Sequence, residues 1–115
     1  ERFHITSGKG FQITFANGYT VSVQFGPGNY CANRDMQIGA DEARAGRGGS
    51  PDAETAVWVG DSGLLALVRD GEAWRRADRR DSEYVDTVQG WQSPADVLAL
   101  MNWAASQPPT EAENV

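Results

Sequence analysis

The chain has 115 residues, 40% of them hydrophobic and 23% charged, which is the size and make-up of one globular domain and too apolar for a disordered chain. Sixteen acids against ten bases give a formal charge of −6, which repels a phosphate backbone and argues against direct nucleic-acid binding. No apolar run approaches the roughly 18 residues a membrane span requires, and no signal-peptide pattern is present. The sequence starts at Glu1 without a methionine, which leaves a preceding segment open.

Arg2 to Thr6 alternates, with Phe3 and Ile5 on one side, and reads as a short strand or arm before the turn Ser7-Gly8-Lys9-Gly10. Phe11, Ile13 and Phe15 then alternate with polar residues, as do Tyr19, Val21, Val23 and Phe25, so each run is a strand with one apolar face. Between them lies Asn17-Gly18, usually the mark of a two-residue hairpin turn. A two-residue loop would pair Phe15 with Thr20 and send the two apolar sets to opposite faces. A three-residue loop, Ala16-Asn17-Gly18, pairs Phe15 with Tyr19 and Ile13 with Val21, and gathers every large apolar side chain on one face. The pattern selects the longer loop, with Gly18 in the left-handed bulge position.

The strand stops at Gly26-Pro27-Gly28. Residues 39–53 contain no large apolar side chain and are expected to form a mobile loop. Thr55 to Gly60 and Leu64 to Arg69 flank Asp61-Ser62-Gly63 and read as a second hairpin, with Val57, Val59, Leu65 and Leu67 on one face and Ala56, Trp58, Leu64, Ala66 and Val68 on the other. Asp70 to Asp81 is polar around Trp74 and reads as a turn of helix; Tyr84 to Val88 reads as a weak strand. Ser93-Pro94-Ala95-Asp96 carries a cap, a proline at the first helical position and the acid of a capping box, so a helix is predicted to about Ser106. Its apolar stripe is Val97, Leu100, Met101 and Ala104, widened by Leu98 and Trp103. Residues 108–115 read as a disordered acidic tail. The whole is an α+β domain over residues 1–107: an antiparallel sheet of about five or six strands built from hairpins, with one C-terminal helix on a face.

Chemistry is sparse. Cys31 and His4 are the only cysteine and histidine, which supports neither a zinc site nor an internal disulfide, and no cofactor is expected. Cys31 reads as a buried apolar residue rather than a nucleophile, and no spacing singles out a carboxylate pair, so nothing supports an enzyme. The loop Gly26 to Arg34 is the best candidate site: Tyr30 offers a face for stacking, Asn29 and Asn33 offer hydrogen bonds, and Arg34 holds anions. Of four tryptophans, Trp58 and Trp103 are expected in the core, and Trp74 and Trp91 at the surface as anchors for a partner. Acids such as Asp41, Glu42, Asp52, Glu54, Asp81, Glu83 and Asp86 admit a further reading, mimicry of DNA.

The stretch from Gly10-Phe11-Gln12-Ile13 through Gly26-Pro27-Gly28-Asn29-Tyr30-Cys31, with Gly90-Trp91-Gln92-Ser93-Pro94, resembles small acidic proteins encoded by bacteriophages of GC-rich hosts. The resemblance covers about the first third of the chain and the start of the helix, and brings no activity or catalytic residue with it. It implies an accessory protein of the host-cell cytoplasm that acts by binding a host or phage protein, including inhibitors of host defence such as anti-CRISPR proteins. A small-ligand module, taking a nucleotide or signalling molecule at the Gly26 to Arg34 loop, is the alternative.

Overall fold

Strand periodicity and one well-capped helix account for most of the architecture. The computed structural model describes residues 1–6, 9–35 and 49–109. The readings of residues 39–53 as a mobile loop and of 108–115 as a tail fall mostly outside them, though Ala53, at the end of the first, already opens a strand. Among the described residues seven strands precede one helix: β1 (Arg2–Ile5), β2 (Gly10–Thr14), β3 (Tyr19–Gln24), β4 (Ala53–Val59), β5 (Leu67–Asp70), β6 (Ala73–Arg76), β7 (Val88–Gln92) and α1 (Pro94–Ser106). Five form one antiparallel sheet in the order β1-β2-β3-β4-β7, and β5 and β6 form a separate two-stranded ribbon.

The first hairpin has the register that its apolar pattern demands. Phe11 pairs with Val23 and Ile13 with Val21. The Phe15 N–H donates to the Tyr19 carbonyl at 2.8 Å, which closes a three-residue loop. Gly18 has φ +90°, a left-handed value that costs a residue with a Cβ.

The second expected hairpin does not form. Of the 64–69 segment, Leu65 still donates its N–H to the Val57 carbonyl at 2.8 Å, but the chain then leaves β4. β3 holds one edge of β4 and β7 holds the other, so Leu67–Asp70 pairs instead with Ala73–Arg76. The turn between them, Gly71-Glu72, has Gly71 at φ +64°. The expected turn of helix around Trp74 is therefore strand β6, and the weak strand at Tyr84 to Val88 lies later, at Val88–Gln92. The division of faces holds despite the lost pairing: Val57, Val59, Leu65 and Leu67 are buried, whereas Leu64 is exposed.

The core lies on one side of the sheet, between Tyr19, Val21, Val23, Val57 and Val59 and the helix residues Val97, Leu100 and Ala104. Ser93 caps α1 as its spacing predicts, with reciprocal bonds between Ser93 and Asp96. Arg69 from β5 pairs with Asp96 and lies over the Trp74 ring, so the ribbon is tied to the first turn of the helix. At the other end, the Asn17 side chain donates to the carbonyls of Ala104 and Gln107, both at 2.7 Å. Leu98, expected to widen the apolar stripe, is instead 56% exposed. Among the described residues no helix is long and apolar enough to cross a membrane.

Candidate functional site

The loop after β3 is built by its own glycines and amides. Gly28 has φ +85°, and its N–H donates to the Arg34 carbonyl at 2.9 Å, closing the loop at its base. Asn29 accepts from the Gly26 N–H at 3.1 Å, and the Asn33 amide donates to the Phe25 carbonyl at 2.7 Å. These two asparagines, expected to read a ligand, hold the loop to itself. Cys31 is buried and its thiol donates to the Gly26 carbonyl, while His4 lies on the strand at one edge of the sheet. No thiol and imidazole pair arises there.

Two carboxylates fasten the loop over the sheet. Glu54 accepts from the Tyr30 N–H at 2.7 Å and from the Asn29 amide at 3.3 Å, and Asp52 accepts from the Ala32 N–H at 2.6 Å. On β7 the register shifts between Ala53 opposite Gln92 and Thr55 opposite Gln89, so Gly90 and Trp91 share the place opposite Glu54 in a bulge. Trp91 has φ +51°, and among the described residues it is the only non-glycine with a positive φ. Its N–H donates to the Tyr30 carbonyl at 2.8 Å. Gly90 lies beneath Tyr30, where a Cβ would come within 2.8 Å of the Tyr30 Cβ.

The outcome is a three-layer stack on the surface. The Tyr30 and Trp91 rings are 5.8 Å apart and 19° from parallel, and the Arg34 guanidinium carbon lies 5.2 Å from the centre of the Tyr30 ring. Trp91 is 55% and Tyr30 43% exposed, so both keep apolar area facing outward although their main chains are fixed. Such an arrangement offers π faces and a cation that no acid among the described residues pairs with.

Gln92, the next residue of β7, lies on the opposite side of the strand and helps line a cleft of about 370 Å³ at the N-terminal end of α1. Phe11, Val23, Phe25 and Val97 make its walls, with Asp52 at its rim. Tyr30, Asn33 and Arg34 do not line it, so the loop and the cleft are separate features that share a strand.

Of the six residues singled out by sequence, Tyr30, Arg34 and Trp91 come together, and Asn29 and Asn33 support them from below. Trp74 does not join them. It is 7% exposed and packs in the core beneath Arg69, because strand alternation turns it inward while Arg75 points away. Trp58, expected in the core, is only half-buried, and Trp103 packs edge-on against Tyr19 at 5.9 Å. Glu54 and Gly90 were not foreseen as site residues; the Gly90-Trp91 dipeptide, a residue without Cβ beside a large ring, is the signal that marks them.

On and after the two-stranded ribbon, one group of charged residues is spent internally. Arg75 makes a two-pronged contact with Asp81, at 2.8 and 2.9 Å, and a third bond to Asp70 at 2.7 Å; Arg80 binds Asp78. The Arg75 guanidinium, aided by the Asp78 N–H, holds the Asp81 carboxyl well below the usual carboxylate range. Asp52, Glu54 and Asp81 are thus committed internally, which removes three of the acids a DNA mimic would present; Glu83 and Asp86 stay exposed, and Asp41 and Glu42 lie outside the described residues. Among the described residues no three His, Cys, Asp or Glu side chains converge as metal ligands would. No protein-family model, curated protein or solved structure matches the chain.

Proposed function

We propose that this domain is a non-enzymatic binding protein that holds another protein on the surface made by Tyr30, Trp91 and Arg34. The observation that carries the reading is the exposed stack itself: a tryptophan, a tyrosine and an arginine, the residue types that dominate binding energy at protein interfaces, held on a fastened loop and the bulged strand beside it. Fixing those side chains before contact lowers the ordering cost of association. The bulge at Trp91 supports the same reading, since a strained backbone persists where the surroundings hold it and where a side chain must be aimed. The resemblance to bacteriophage proteins makes a bacterial host protein, such as a defence component, the partner class to test first.

The test is capture from lysate of a GC-rich bacterial host by the immobilised wild-type chain, beside Trp91→Ala and Arg34→Glu chains shown to be folded by circular dichroism. A protein retained by the wild type and lost with both variants supports the reading. Equal retention by all three chains, or retention of nothing, counts against it.

One observation favours a second reading, a small apolar ligand. The cleft of about 370 Å³ falls within the size range of small-molecule sites and is walled mainly by apolar side chains. A molecule bound there would protect the chain thermally in the Trp91→Ala variant as well as in the wild type.

A further inference from the structure

The edge of the sheet farthest from Trp91 carries a feature independent of that reading. β1 pairs only with β2, and no described residue covers its other side. Phe3 and Ile5 are 77% and 78% exposed. Edge strands usually carry a device that stops them joining another strand, such as a proline, a bulge or an inward-pointing charge. Arg2-Phe3-His4-Ile5 has none on its apolar side.

Which main-chain groups are free follows from the neighbouring strands. The Phe15 N–H donates to the Tyr19 carbonyl and the Phe25 N–H to that of Lys9, so the odd-numbered residues of β2 turn their polar groups toward β3. The even ones, Gly10, Gln12 and Thr14, therefore serve β1, and the Thr6 N–H accordingly donates to the Gly10 carbonyl at 3.2 Å. Arg2 and His4 bond to β2, which leaves the N–H and carbonyl of Phe3 and Ile5 directed at the open edge.

The geometry points to a symmetric dimer in which β1 pairs antiparallel with β1 of a second copy and joins the two sheets. Only one register within the strand is both self-complementary and consistent with the free groups: Phe3 of each copy opposite Ile5 of the other, with His4 opposite itself across the two-fold axis. That register satisfies all four outward groups of each strand and brings Phe3 and Ile5 together on the apolar side. Electrostatics do not oppose it. In the first 34 residues Glu1 is the one acid, against Arg2, Lys9 and Arg34, so the −6 of the whole chain resides elsewhere.

Two experiments decide the matter. Sedimentation equilibrium of the wild-type chain gives a dimer with a Kd tighter than about 1 mM, and Ile5→Pro, which deletes an outward N–H that β2 does not use, gives a monomer with an unchanged circular dichroism spectrum. The register is read by cysteine cross-linking, with the wild-type chain and its buried Cys31 as control. Residues opposite each other at a non-bonded antiparallel site have Cα atoms about 4.5 Å apart, within the span of a disulfide. His4→Cys alone therefore forms a covalent dimer under mild oxidation, whereas Arg2→Cys and Thr6→Cys form one only when mixed. A wild-type chain that sediments as a monomer, whatever else its edge binds, overturns the proposal, as does equal cross-linking at positions 2, 4 and 6.

Discussion

Asn17 and Ala104, 87 residues apart in sequence, are joined by a 2.7 Å hydrogen bond from the side-chain amide of the first to the carbonyl of the second. The tip of the first hairpin thereby satisfies carbonyls that the last turn of α1 would otherwise leave open. The same side chain accepts the Tyr19 N–H at 3.0 Å, so the turn and the helix end stabilise one another.

Replacing Asn17 by alanine removes these bonds together. Chemical unfolding in urea is expected to show a loss of roughly 1–2 kcal/mol. Gly18→Ala, which forces a Cβ into a left-handed conformation, costs about 1 kcal/mol by the same measurement.

Leu100 and Leu98 separate the buried and exposed sides of α1. Leu100 has no exposed surface, and Leu100→Ala should cost about 2–5 kcal/mol. Leu98→Ala, at a residue 56% exposed, should stay within about 0.5 kcal/mol of the wild type in the same urea titration.

Asp96 makes stability depend on pH in acid. Its carboxyl is pulled down to about 2, chiefly by the Arg69 guanidinium and then by the Ser93 N–H and hydroxyl. In the unfolded chain it titrates near the ordinary value of about 3.9. Because the folded value is the lower one, the contribution is complete above about pH 4 and is lost as pH falls through about 2. Melting temperatures measured from pH 5 down to pH 2 should therefore drop less steeply for Asp96→Asn than for the wild type.

Gly90→Ala tests the platform under Tyr30. The new Cβ would come within 2.8 Å of the Tyr30 Cβ, so the tyrosine must move and the stack on Trp91 must open. Loss of near-ultraviolet circular dichroism from the paired rings, with the far-ultraviolet spectrum retained, is the expected result. An unaltered near-ultraviolet spectrum would show that the rings do not depend on the missing side chain at position 90.

These elements differ in how far the sequence discloses them. The register of the first hairpin is legible because strand periodicity is two, and one slip would send Phe11, Ile13, Val21 and Val23 to the wrong faces. The start of α1 is legible because Ser93, Pro94 and Asp96 act within one turn. The partner of Leu67 is not, since alternation fixes which way a side chain points and says nothing about which strand lies alongside. Leu65 and Leu67 are buried as their pattern demands, yet the edge of β4 goes to Val88–Gln92, far along the chain. Trp74 misleads for a related reason: its charged neighbours describe the other side of its own strand. The platform of Tyr30, Trp91 and Arg34 was half visible, as residues of the right kind in two places. What joins them is Glu54 and the absence of a side chain at Gly90, and neither announces itself in a chain read residue by residue.

The helix that closes the core is also the last described element to be made. A ribosome releases β1, β2 and β3 first, and with them Phe11, Ile13, Val21 and Val23 on one bare side of a nascent sheet; the covering side chain, Leu100, follows only after some seventy-five further residues. During that interval the growing chain leaves that apolar side uncovered, the condition under which a nascent chain is most prone to aggregate.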